Sequence, residues 1–242
     1  ADLQILNITR LSDIRNIKCP KFVVLMHTFG EWANEPHEQY KDLLKKSVMV
    51  YSHLDLSKEF PDINFLRGAW GVDPENFYPV GGVEKKFLIL NTGYVPETEG
   101  IGESLSACEA VGQKMLHVGP NLGYKTSTYN FATNLDKKQM LYAINSASYI
   151  SGMRRIEGFE KTVSEGLLCG VRPICFDTEL FKFWYEDIVS YVREGTFEET
   201  TQDLIKIFKS PYRAITTDEE NRVLDKFSWV NVSKRFWNVL LK

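Results

Sequence analysis

The sequence predicts an α/β protein of two lobes, each a parallel sheet flanked by helices, with the N-terminal lobe shortened. Three observations carry this. From about residue 83 onward, short apolar runs alternate with helix-length amphipathic segments, the signature of βαβ units feeding one parallel sheet. The first 80 residues hold a second, smaller set of apolar runs. Between the two lies "GAWGVDPENFYPVGG" (68–82), whose Gly, Pro and Asp content suits an interdomain linker. A chain of 242 residues is long enough for one large domain or two small ones.

The elements follow in order. "KFVVLMHTFG" (21–30) is a buried strand ending in glycine, "KKSVMVYSH" (45–53) is another, and "INFLRGAWGVD" (63–73) holds a third, shorter one. "HEQYKDLLKK" (37–46) reads as a helix between the first two. That is about half of a Rossmann-type domain, over 1–80. In the remainder, 81–242, "KKFLILNTG" (85–93) is an apolar run closed by glycine. "ESLSACEAVGQ" (103–113) puts Leu105, Cys108 and Val111 on one helical face. "KMLHVGPN" (114–121) is a strand stopped by Gly-Pro, and "DKKQMLYAINSA" (136–147) is a helix with Met140, Leu141 and Ile144 inward. "SYISGM" (148–153) is a strand, "KTVSEGLLCG" (161–170) a helix stopped by Gly170, and "VRPICF" (171–176) a strand. A strand at 191–195, a helix at 197–210 and a closing helix over 228–242 complete the lobe. Ser228 is the expected N-cap of that last helix, which is expected to pack back on the N-terminal lobe.

Composition excludes several classes. A net charge of −3 leaves no electrostatic footprint for tight nucleic-acid or anionic-membrane binding. No apolar run approaches the ~20 residues of a membrane span, and the N-terminal stretch lacks a charged-then-apolar leader pattern. Cys19, Cys108, Cys169 and Cys175 form no CxxC pair and no metal-like spacing. They read as buried thiols of a cytoplasmic protein. "HEQYK" is not a zinc motif, because no second histidine follows at helical spacing. His37, His53 and His117 read as structural.

Open parallel sheets bind ligands at the carboxyl ends of their strands, beside helix N-termini. Two loops stand there. In "NTGYVPETEGIG" (91–102), Gly93 ends a strand and Gly100 and Gly102 precede a helix. Such glycines let a ligand approach the backbone, and the helix start offers donors to phosphate. A plain flexible connection is the equal alternative. In "GMRRIEGFEKTVSEG" (152–166), Arg154, Arg155, Glu157 and Gly158 lie in the loop and Glu165 about one helical turn in. A carboxylate accepts two hydroxyl hydrogens, which suits the vicinal diol of a sugar. The arginines and the backbone N–H groups at 158–161 suit a diphosphate. The bland alternative is an acid stabilising a helix dipole, with surface arginines in salt bridges.

The second loop resembles the hallmark of retaining GT-B glycosyltransferases, in particular their large fourth family. That hallmark is two glutamates separated by seven residues in E-G-F-G-x-x-x-x-E, then a small-residue helix, C-G-x-P and a strand. It stands here as Glu157-Gly158-Phe159 and Glu165-Gly166-Leu167-Leu168-Cys169-Gly170-Val171-Arg172-Pro173-Ile174. "RGAWGVDPENFYPV" (67–80), "ILNTGY" (89–94), "LHVGPN" (116–121), "MLYAINSASYISGMRRIEGFE" (140–160) and "FSWVNVSKRFWNVL" (227–240) match further segments in the family's order. The likeness covers about residues 63–242.

The resemblance implies a GT-B fold. It also implies transfer of a sugar, a hexose, from a nucleoside-diphosphate sugar (UDP or GDP) to an acceptor hydroxyl with retention of configuration. Glu165 would bind the donor ribose and Glu157 the transferred sugar. His27 would face that sugar; its alternative is a satisfied histidine at a strand end. Gly158, Phe159, Glu160, Lys161 and Thr162 would line the donor with backbone N–H groups, and Gly93 would admit the diphosphate beside Tyr94. Base recognition would come from backbone near "FATN" (131–134). The chain lacks an Asp-x-Asp motif, so no metal and no cofactor is expected. The acceptor is open: a glycan, a lipid-linked sugar or a modified nucleobase.

The sequence departs from the family in three respects. Tyr94 and Glu99-Gly100 stand where Arg and Lys-Gly are expected, leaving Arg154, Arg155, Lys161 or Lys125 to supply positive charge. Glu160 replaces a common glycine. The family's opening strand and glycine-rich loop are expected to be missing. Two alternatives follow: a nucleotide-sugar-binding scaffold, one subunit of a larger transferase, or a viral-type DNA-base glycosyltransferase.

Overall fold

A computed structural model describes residues 3–7, 16–26, 37–57, 60–155 and 159–241. The chain divides into two compact units. The first runs to Gly71 and takes in Phe159 and the stretch from Trp229; the second holds Val72–Arg155 and Glu160–Ser228. Among the described residues, no helix is long and apolar enough to cross a membrane.

The first unit contains β1 (Gln4–Asn7), β2 (Phe22–Met26), α1 (His37–Lys46), β3 (Met49–Ser52) and β4 (Phe65–Arg67). The strands form one parallel sheet in the order β1-β2-β3-β4. Phe22, Val24, Met26, Leu43, Leu44, Val50, Leu56 and Phe60 make its core. The strand β1 is one that the sequence pattern does not announce. Its four residues alternate between half-buried and exposed, so it sits at the sheet edge with too weak an apolar signal to read in advance.

The second unit contains β5 (Phe87–Thr92), α2 (Ile101–Ala110), β6 (Met115–Val118), β7 (Tyr129–Ala132), α3 (Lys137–Asn145) and β8 (Ala147–Gly152). It continues with α4 (Lys161–Leu168), β9 (Arg172–Phe176), α5 (Glu179–Tyr185), β10 (Ser190–Val192), α6 (Phe197–Lys209) and α7 (Thr217–Phe227). Its six strands are all parallel, in the order β10-β9-β8-β5-β6-β7. The order reverses between β5 and β8, which makes that pair the topological switch point. The closing helix α8 (Trp229–Leu240) belongs to the first unit. Ser228, the expected N-cap, ends α7 and directly precedes α8.

Helix ends are chemically specified. Asp136 with Gln139, Thr196 with Glu199 and Thr216 with Glu219 form capping boxes on α3, α6 and α7. The C-terminus of α4 closes as a Schellman motif. The Val171 N–H donates to the Gly166 carbonyl at 2.9 Å and the Gly170 N–H to the Leu167 carbonyl at 3.0 Å. Gly170 adopts φ 70°, the left-handed conformation this motif requires.

The helix α4 lies unusually close to β8 because two glycines face each other's elements. A Cβ on Gly166 would stand 2.5 Å from Ile150 Cγ2, and one on Gly152 would meet Val163 Cγ2. Gly166→Ala should therefore destabilise the fold by roughly 1–3 kcal/mol through overpacking, despite alanine's better helix propensity. Urea denaturation checks this, and an unchanged midpoint would count against the tight packing. All four cysteines are buried and free. Burial pushes the Cys108 and Cys169 thiols up to about 12, so they stay protonated and unreactive.

Candidate functional site

The switch point gathers chemistry from three elements of the second unit: the loop after β5, the loop after β8 and the start of α4. Arg154, just past β8, is the hub. Its side chain is 8% exposed, so its charge needs partners. Nε donates to Glu160 Oε2 at 2.8 Å, and Nη2 donates to the Thr92 hydroxyl at 2.8 Å and to the Thr92 carbonyl. Nη1 lies 3.3 Å from Glu99 Oε1. One guanidinium thus ties β5 to β8 and to α4.

Glu160 has two roles. Its side chain caps α4, accepting the Thr162 N–H at 3.1 Å, while its other oxygen takes the Arg154 bond. Its carbonyl accepts the Tyr185 hydroxyl at 2.8 Å, anchoring the start of α4 to α5. The Thr162 hydroxyl stands 3.5 Å from that of Thr92. Lys161 is half exposed and places Nζ 3.3 Å from Glu165 Oε1.

Glu165 is on the next turn and nine-tenths buried. Burial pushes its carboxyl above the ordinary value, Lys161 pulls it back, and the Glu160 charge adds to the rise. A desolvated carboxylate with one cationic neighbour gains from accepting hydroxyl hydrogens.

After β5, Gly93 takes φ 141°, and a Cβ there would collide with Glu99 Oε2 and come within 2.8 Å of Arg154 Nη1. The position therefore has no room for a side chain. The Tyr94 ring is exposed, while the Tyr94 and Val95 N–H groups donate to Glu99 Oε2 at 2.6 and 2.8 Å.

The structure thus brings Gly93, Tyr94, Arg154, Glu160, Lys161, Thr162 and Glu165 together. Arg155 points elsewhere. It donates to the Glu97 carbonyl at 2.9 Å and to Glu103 at 2.8 Å, and lies 4.7 Å over the Phe176 ring. Phe159 packs its buried ring 5.4 Å from His53, within the first unit. His27, Glu157 and Gly158 lie outside the described residues.

Sequence reasoning missed Glu99 as a backbone ligand, Thr92 as an arginine partner and Tyr185 as an anchor. His117 fits the structural reading. It is fully buried, stacks 6.1 Å from Tyr129, and neither ring nitrogen has a hydrogen-bond partner among the described residues. Burial pushes its imidazole below the ordinary value.

Two all-parallel sheets with this strand order, and a helix-capped loop at the switch point of the second, define the GT-B fold. No family model matches the chain, and no curated protein sequence matches it significantly. Solved structures do. Sucrose-phosphate synthase from Thermosynechococcus elongatus aligns with a TM-score of 0.80 at 14% identity, over 98% of this chain and 72% of that one. Anabaena HepE, solved with UDP and glucose, aligns at 0.79 and 12% identity, over 99% and 78%. An α,α-trehalose-phosphate synthase (UDP-forming) from Burkholderia vietnamiensis aligns at 0.73 and 9% identity, over 96% and 68%. At such identities the likeness establishes the fold, and the expected GT-B architecture is met.

Proposed function

We propose that the chain is a retaining glycosyltransferase that takes a hexose from a nucleoside-diphosphate sugar and passes it to an acceptor hydroxyl. The observation that carries the reading is Glu165: a nearly buried carboxylate, one turn into a helix at the switch point, with its pKa raised by burial. That is the chemistry a ribose diol needs. The backbone N–H groups that follow Gly93, now held by Glu99, and Arg154 beside them support a diphosphate next to that diol. The fold neighbours include one solved with UDP and glucose and one with UDP-glucose. By the family resemblance, Glu157 and His27 would contact the transferred sugar. In this reading the acceptor attacks on the face from which the diphosphate leaves, and the departing phosphate takes its proton, with no metal required.

The test is a thermal-shift screen of UDP, GDP, ADP and CDP with their sugars, followed by assay of nucleotide release. A ligand at a hundredfold excess over its Kd stabilises by about 2.7 kcal/mol, which is roughly 5–10 °C for a chain of this size. No shift from any nucleotide at millimolar concentration would sink the reading.

A second reading keeps binding and drops turnover. Its support is that Arg154 already faces two carboxylates, Glu99 and Glu160, so little positive charge remains for a leaving group. Binding without turnover, with turnover restored by a partner subunit, would favour it.

A further inference from the structure

The loop after β5 is folded around an anion of its own. Glu99 Oε2 accepts two consecutive backbone N–H groups, those of Tyr94 and Val95, while Oε1 faces Arg154 Nη1. The carboxylate lies directly over Gly93, in space that a Cβ would fill. The Thr98 N–H closes the turn by donating to the Val95 carbonyl at 3.1 Å. Two successive N–H groups plus a guanidinium are what a phosphate oxygen pair seeks. The place is the carboxyl end of β5 beside β8, where an open sheet of this order takes its ligand. The cradle is therefore built for an anion and filled from within the chain.

We propose that Glu99 is a resident competitor for the donor diphosphate and sets the balance between binding donor and releasing product. This inference rests on the donor-site reading above. An incoming diphosphate must displace the Glu99 carboxylate from Tyr94, Val95 and Arg154, and then lies beside it. The displaced charge repels both nucleotides, but not equally. The released nucleoside diphosphate gains a further negative charge, because its terminal phosphate has a second pKa of about 6. Repulsion between like charges scales with the product of the charges. Glu99 therefore weakens product more than donor, which speeds the step that frees the site. It is a specificity-determining residue acting through charge, and it touches no reacting atom.

The experiment is isothermal titration of the full chain and of Glu99→Gln with UDP, UDP-glucose, inorganic pyrophosphate and uridine. Glutamine keeps an oxygen for the two N–H groups, and Glu99→Ala provides a second test should the loop be altered. UDP and pyrophosphate should tighten about tenfold in Glu99→Gln, UDP-glucose about fivefold, and uridine not at all. That graded response is one that a merely structural role would not produce. Equal affinities for UDP in both chains, or a change shared by uridine, would overturn the proposal while leaving the donor site standing. If neither chain binds any of the four, the proposal and the donor-site reading fall together.

Discussion

Replacing Arg172 by alanine should lower stability by about 3–5 kcal/mol, the cost of leaving one partner of a buried ion pair alone. Arg172 is 1% exposed and Glu219 4%. Nη2 reaches Glu219 Oε2 at 2.9 Å and the Ala214 carbonyl at 2.8 Å; Nε donates to the Arg213 carbonyl at 2.7 Å, and Nη1 to the Ile188 carbonyl. Burial pushes the Glu219 carboxyl up, but hydrogen bonds from Arg172, the Thr216 N–H and Arg213 outweigh it and hold it at about 2. The sign follows from linkage. A carboxyl depressed in the folded state contributes stability above its unfolded pKa and loses it as pH falls through the folded value. The window here runs from about 4.5 down to about 2. Melting of Arg172→Ala at neutral pH should drop by about 6–20 °C, and its stability should vary less across that acid window than that of the parent chain. Some dependence persists, because Arg213 and Thr216 still hold Glu219. A variant that melts within 2 °C of the parent by scanning calorimetry, well below the roughly 6 °C expected, would show that the pair is not structural.

Glu165→Ala should abolish the nucleotide-induced thermal shift and leave the fold intact. Each hydrogen bond to a charged group contributes about 1.5–3 kcal/mol, so losing the two proposed ribose contacts would weaken binding by roughly a hundredfold or more. The fold survives because Lys161, its partner, is half exposed and can be solvated. Burial raises the Glu165 carboxyl, so the ionised form costs stability. For a raised carboxyl the favourable contribution is complete below the unfolded pKa and is lost as pH rises through the folded one. Removing the group should hold or slightly raise the neutral-pH melting temperature. If Glu165→Ala still responds fully to the nucleotide, the ribose assignment is wrong.

Much of the second unit was legible because its elements carry strong local patterns. "FLILNT" and "MLHV" are short apolar runs, and α3 and α6 have clear apolar faces. The seven-residue helix α5 was not seen. Nor was α7, whose sequence "TDEENRVLDKF" is mostly charged, although Thr216 and Glu219 spell a capping box. At the site, Glu165 was readable because helical periodicity fixes where a residue one turn into the helix points. Glu99 was read only as a missing lysine. Its return to the Tyr94 and Val95 N–H groups depends on turn geometry that no periodicity encodes. Arg172 sat in an apparently apolar strand, and its partner lies 47 positions away, a separation at which local pattern is silent.

The bond from Arg154 to Thr92 joins residues 62 positions apart, across strands that are neighbours in the sheet but not in the chain. Contacts of such sequence separation are slow to form. The proposed donor site can therefore arise only after the central strand pair has docked, so partly folded chains should be blind to nucleotide. Ligand capture then doubles as a reporter of finished folding in this half of the molecule.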